Sequence, residues 1–145
     1  SKRTGPDLQR EGQKNPDSWH FKHMYNPRIT SAGSIMPRFP WLISNQLDRS
    51  QMKDKLNLMK KTFDVPYTKA EIDSADQWAN HQSQDIVKRI FSESADLKTQ
   101  IEKERKAKGN AFVPLENREI IAMIAYLQRL GKDIKTTDIK TASIE

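Results

Sequence analysis

The sequence contains no cysteine. That absence excludes disulfides, cysteine nucleophiles, thiolate metal sites and Fe–S clusters for this stretch of chain. It leaves the compartment open, since proteins without disulfides occur in every compartment. Glycine is scarce: five residues, scattered, forming neither a Walker loop nor a dinucleotide fingerprint. No run approaches the ~18 apolar residues that a membrane-spanning helix needs. No apolar leader follows Ser1-Lys2-Arg3-Thr4, so the expectation is a piece excised from something longer. Hairpin signals, internal repeats and low-complexity tracts are absent as well.

What is there suits one modest domain. The 145 residues are 35% hydrophobic and 30% charged, which predicts a small core and long solvated helical surfaces. Three Trp, three Tyr and five Phe argue against disorder. The net charge of +6 suits nucleic acid, anionic lipid or an acidic partner, but both signs are interspersed. The densest run, from Glu102 to Lys108, is mixed and reads as a solvated helix face. Lys53, Lys55, Lys60 and Lys61 lack the stacking aromatics of a nucleic-acid face, so no nucleic-acid partner is expected.

The pattern is all-α. Residues 1–15 read as loop. Asn15-Pro16-Asp17 predicts a helix start with Asn15 as N-cap, running to about Tyr25 before Asn26-Pro27. Residues 27–46 are apolar and carry Pro27, Pro37 and Pro40, which predicts an irregular loop packed on something. A second helix is expected over about 48–63, starting at Asp48, with Met52, Leu56, Met59 and Phe63 at helical spacing. Thr68 starts a third, with Glu71 completing a capping box. Its narrow stripe of Ile72, Ala75, Ala79, Ile86, Ile90, Leu97 and Ile101 lasts about ten turns, to Gly109-Asn110. A helix over 68–108 would stand away from the core or pair with another chain. Asn117 is the expected cap of a fourth and most apolar helix, which Gly131 closes. Residues 135–145 read as a polar tail.

Few constellations could carry chemistry. No nucleophile has a base beside it in the pattern. His20 and His23 stand at i, i+3, a spacing that can share a metal, but further ligands are missing and ordinary histidines have the same spacing. His81 lies on a polar stretch and carries no signal. Met36 leaves two readings open. It is packing in an apolar loop, or it is a soft axial ligand held by a loop that Pro37 and Pro40 stiffen.

The order of features adds a resemblance. Thr4-Gly5-Pro6-Asp7-Leu8, Trp19-His20, Asn26-Pro27-Arg28, Met36-Pro37-Arg38-Phe39-Pro40-Trp41-Leu42, Val65-Pro66-Tyr67-Thr68 and Ile124 to Gly131 follow one another as in a known family. The chain resembles the mono-haem subunit of cbb-type cytochrome c oxidases. The likeness is dense over 2–44 and 115–134, moderate over 47–70 and poor along the third helix. It implies a class I cytochrome c fold in which a Cys-x-x-Cys-His attaches haem c and a later loop supplies methionine. By that pattern Met36 is the axial ligand, Gly5-Pro6 lie against the haem on its histidine side, and Arg28 contacts a propionate. Tyr126 and Leu127 belong to the last helix.

The resemblance further implies electron relay toward the oxygen-reducing subunit, on the periplasmic side of the bacterial inner membrane. Its implied partners are the catalytic and other oxidase subunits and a cytochrome c-type donor. The chain would not itself be an enzyme. The family's Cys-x-x-Cys-His and membrane anchor are expected upstream of Ser1, which leaves this stretch soluble and without bound haem. Residues 1–134 then form a truncated cytochrome c-like domain, with core parts 1–46 and 115–134 and a helical insertion over 47–114. The apolar face of 120–130 and the 35–43 loop would lose their partners, to be covered by a homodimer contact, helix exchange or a rearranged loop. The rival reading is a helical protein-interaction module with the third helix as docking arm.

Overall fold

The computed structural model describes residues 5–132. Among them are eight α-helices and no strand; one isolated antiparallel bridge joins Gln46 and Arg118. The expected all-α class holds. The tail expected over 135–145 and the segment Lys2–Thr4 lie outside the described residues.

The first helix, α1 (Asp17–Tyr25), begins after Pro16 rather than on an Asn15 cap. The Asn15 amide instead donates to Glu11 Oε1 at 3.1 Å. Capping is done from a distance: Ser18 N–H donates to Glu93 Oε2 at 2.8 Å. A carboxylate there meets both an orphan amide and the positive end of the helix dipole. The expected irregular loop over 27–46 contains two short helices, α2 (Pro27–Thr30) and α3 (Pro40–Ser44). Pro27 and Pro40 sit at their starts, where a missing N–H costs nothing.

The second long helix, α4 (Met52–Phe63), starts four residues after Asp48. Asp48 Oδ1 accepts the Ser50 N–H at 2.8 Å, which holds the chain in a turn. That hydrogen bond also holds the Asp48 carboxyl below its ordinary pKa. The capping box is present as expected, with Thr68 N–H to Glu71 Oε2 at 2.8 Å and Glu71 N–H to Thr68 Oγ1 at 3.2 Å. The single helix expected over 68–108 is, however, three: α5 (Lys69–Asp73), α6 (Ala75–Glu93) and α7 (Ala95–Lys108). At Ser74 the hydroxyl bonds back to Ala70 O at 2.7 Å, competing with the helix ladder. At Ser94 the backbone is extended, φ −145° and ψ 98°. Gly109 ends α7 at φ +49°, as its position predicts.

The last helix, α8 (Glu119–Arg129), follows Arg118, not an Asn117 cap. Asn117 closes a 3-10 turn, and its carbonyl accepts Leu47 N–H at 2.7 Å. Gly131 does terminate the helix, at φ +78°. A Cβ there would lie 2.4 Å from Gln9 O, so only glycine lets the N-terminal segment pass. Gly12 N–H then donates to Leu130 O at 3.0 Å, pinning that segment to the end of α8.

These turns fold the third apolar stripe onto the fourth. Phe21 of α1, Ile86 and Ile90 of α6, Leu97 of α7, Leu115, and Ile120, Ile121 and Ile124 of α8 form one buried cluster. The expected free-standing arm is thus core. The 120–130 face is covered within the chain: Ile121 is 2% exposed and Ile124 0%, so that face does not call for a second copy. The 35–43 loop stays open, with Ile35 77% and Trp41 50% exposed.

Candidate functional site

The α1 sequence places its aromatic rings on adjoining positions. Trp19 stacks on His23 at 4.4 Å between centroids and meets His20 edge-on at 5.3 Å. His23 Nδ1 pairs with Thr30 Oγ1 at 2.5 Å. His20 is buried, and its Nε2 has no hydrogen-bond partner among the described residues. Among those residues no group of three His, Cys, Asp or Glu is placed to hold a metal.

Burial lowers the His20 pKa, partly offset by Glu11, Asp17 and Glu93, with His23 adding to the lowering; burial lowers His23 as well. A base whose folded pKa lies below its unfolded value of 6.5 binds fewer protons folded than unfolded in the window between the two values. Stability therefore falls as pH drops below 6.5 toward the folded value. His20→Leu is expected to match or exceed the parent at pH ~7.5, because it removes a buried atom with no partner. It should also flatten the loss as a titration from pH ~7.5 runs to the acid side of 6.5, leaving the share of His23. Denaturant titrations at both ends check this; an unchanged slope would show that His20 is solvated.

The Met36 loop is built from short-range bonds. Met36 N–H donates to Ser34 Oγ at 3.2 Å, and Phe39 N–H donates to Met24 O at 3.0 Å, tying the loop to the end of α1. Phe39 and Trp41 meet edge-on at 5.3 Å. Met36 is half-buried, while Gly5, Pro6 and Arg28 are exposed. Arg28 uses its backbone N–H for the Asn26 side chain at 3.3 Å. No contact described here joins Met36 to Gly5, Pro6 or Arg28.

Sequence reasoning missed a polar network built on the buried Asp17 at the foot of α1. Asp17 accepts from Arg89 Nε at 2.6 Å and from Gln128 Nε2 at 2.7 Å, and Gln128 Oε1 accepts Gln13 N–H at 2.8 Å. It joins α1, α6, α8 and the N-terminal segment. Its partners lie 72 to 115 residues apart, so no local pattern signals it. Two surface hollows complete the geometry. One of about 580 Å³ is lined by Gln46, Leu47, Asp48, Arg49, Asn80 and Asn117; one of about 300 Å³ by Gln77, Trp78 and His81. Met36 lines neither.

Compared with family profiles, residues 1–134 match the one described as cytochrome c oxidase, mono-heme subunit/FixO. The chain belongs to that family. Membership implies an electron-transfer role in an oxidase complex, and the match runs through the middle helices as well as the ends. No curated protein matches the chain individually. No helix among the described residues is long and apolar enough to cross a membrane.

The family's haem c tests the residues present. Its attachment takes two cysteine thioethers, and this sequence has no cysteine, so the attaching half does not fit these residues. The donor chemistry of the other half does fit: Met36 is a thioether in a loop braced by two prolines and an anchored backbone.

Proposed function

We propose that the chain is the methionine-bearing part of an electron-relay domain in a cbb-type cytochrome c oxidase, acting on the periplasmic side of the membrane. The observation that carries it is the family match over 1–134. Haem c, when bound to the intact subunit, supplies a one-electron carrier. In this reading Met36 would hold it through the thioether, and Gly5, Pro6 and Arg28 would contact it. The chain's own part is positional. Pro37 and Pro40 restrict the loop, and the Phe39–Met24 hydrogen bond holds it to α1, so the loop would present the thioether with little freedom to move. The electron comes from a cytochrome c-type donor and passes to the oxygen-reducing subunit, which makes this chain a carrier and not the catalyst. Nothing favours the rival docking-arm reading, because α5, α6 and α7 are separate and supply core residues.

The test is to express the chain, with whatever residues its gene encodes before Ser1, in a host that matures c-type cytochromes. A c-type absorbance is expected. Met36→Ala should then remove the methionine–iron band and lower the haem potential. An unchanged spectrum excludes Met36 as ligand; a product without haem ends the electron-relay reading.

A further inference from the structure

Helix α4 is the one long helix among the described residues with none of its residues buried. Its sequence is nevertheless amphipathic. At about 100° per residue, Met52, Leu56, Met59 and Phe63 fall on one stripe. The N-terminal half of that stripe is half-buried at Met52 and Leu56, on the side of α5 and α6. The C-terminal half is exposed: Met59 is 41% exposed and Phe63 67%. Lys53 and Lys60 border the stripe on one side and Lys55 on the other, with Lys61 behind. The helix carries these four lysines against one carboxylate, Asp54. Lys53 reaches Asp76 at 3.5 Å, whereas no carboxylate among the described residues pairs with Lys60 or Lys61.

Two ordinary roles explain part of this. Lysines in a last turn complement the helix dipole, and single exposed apolar residues are common. Neither role accounts for an apolar stripe that continues past its support with lysines on both flanks. That pattern suits a surface that is negatively charged outside and apolar within, where lysine stems lie along the hydrocarbon and their heads reach the phosphates.

We propose that the C-terminal half of α4 is a docking surface for an anionic lipid bilayer, entered by Met59 and Phe63 and held by Lys55 and Lys60 on either side of them. An acidic protein would satisfy the lysines equally. The exposed apolar residues, however, follow one another along one helix face with a lysine on each side, the arrangement of a helix lying in a bilayer interface rather than of a pocket fitted to one partner. The proposal is independent of haem and of Met36.

Sedimentation of the chain with phosphatidylcholine vesicles holding about one-quarter phosphatidylglycerol tests it. The chain is expected to partition onto these vesicles, to leave pure phosphatidylcholine, and to be released by about 0.5 M salt. Lys55→Gln with Lys60→Gln should weaken partitioning about tenfold or more, and Met59→Ser with Phe63→Ser should abolish it. All four positions are exposed, and unchanged circular dichroism verifies the fold. Absence of binding to the anionic vesicles overturns the proposal. So does equal binding to neutral vesicles, binding indifferent to the 59/63 pair, or light scattering showing a dimer that Phe63→Ser dissociates.

Discussion

Ile90→Ala is expected to lower the unfolding free energy by about 3–4 kcal/mol. Ile90 is 0% exposed and belongs to the cluster that joins α1, α6, α7 and α8. Truncating it removes three methylene-sized groups from a dry site. It also leaves a cavity that three helices, anchored separately, cannot all close upon. In a domain whose total stability is about 5–15 kcal/mol, that is a large share, and the melting temperature should fall by about 10 °C. The contrast residue is Phe63, larger but 67% exposed, where truncation to alanine should stay within about 0.5 kcal/mol. Urea titrations followed by far-ultraviolet circular dichroism measure both. A loss under about 1 kcal/mol at Ile90 would mean that α6 packs loosely and that the 120–130 face needs another cover.

That contrast shows where sequence reasoning reached and where it stopped. Local chemistry was legible. The Thr68–Glu71 capping box, the glycines at 109 and 131 and the all-α pattern each follow from groups within a few residues of one another. The breaks at Ser74 and Ser94 were not, because the apolar stripe of Ile72, Ile86, Ile90 and Leu97 keeps helical phase across them. A periodic stripe reports which residues will be buried, and these are. It does not report whether one rigid rod or three hinged ones do the burying. The partner of the stripe was equally hidden: α6 lies on α8 because the chain turns back through residues 109–118, and nothing in either helix names the other.

The site divides the same way. Met36, Gly5, Pro6 and Arg28 came from a family resemblance, and the family match supports that resemblance as a whole. Their roles concern a group these residues alone do not attach, so geometry within the chain says where they sit and not what they ligate. The groups that sequence reasoning passed over are polar ones that tie distant segments: the buried Asp17 with Arg89 and Gln128, Glu93 at the start of α1, and the buried Arg118. Each draws its meaning from partners far along the chain. A charged residue beside an apolar helix looks like any solvated charge until its carbonyl acceptors arrive from elsewhere.

Arg118 is the strongest of these, and Arg118→Met is expected to cost about 3 kcal/mol. The guanidinium is 2% exposed and its donors are engaged on three sides: Val113 O at 2.9 Å, Ile43 O at 3.2 Å and Glu104 Oε2 at 3.1 Å. Phe112 lies 5.2 Å from its carbon, a cation–π distance. One side chain thus fastens the end of α3, the end of α7 and the loop before α8. Methionine keeps much of the volume and isolates the polar loss: two carbonyls lose a donor, and Glu104 loses its buried partner. The carboxylate provides an independent readout. Burial pushes the Glu104 pKa up, but hydrogen bonds from Lys108 and Arg118, with their charges, outweigh it and hold the group below its ordinary 4.5. A carboxyl lowered on folding contributes stability that is present above its unfolded pKa and is lost as pH falls through the folded one. The parent should therefore lose part of its stability as pH drops below 4.5, and Arg118→Met should lose less over the same window. Adding Glu104→Leu to Arg118→Met should return part of the loss, since Glu104, with only Lys108 left to pair it, keeps the cost of partial burial without the Arg118 contact. A double-mutant cycle showing no coupling between positions 104 and 118 would mean that Arg118 acts through the two carbonyls alone.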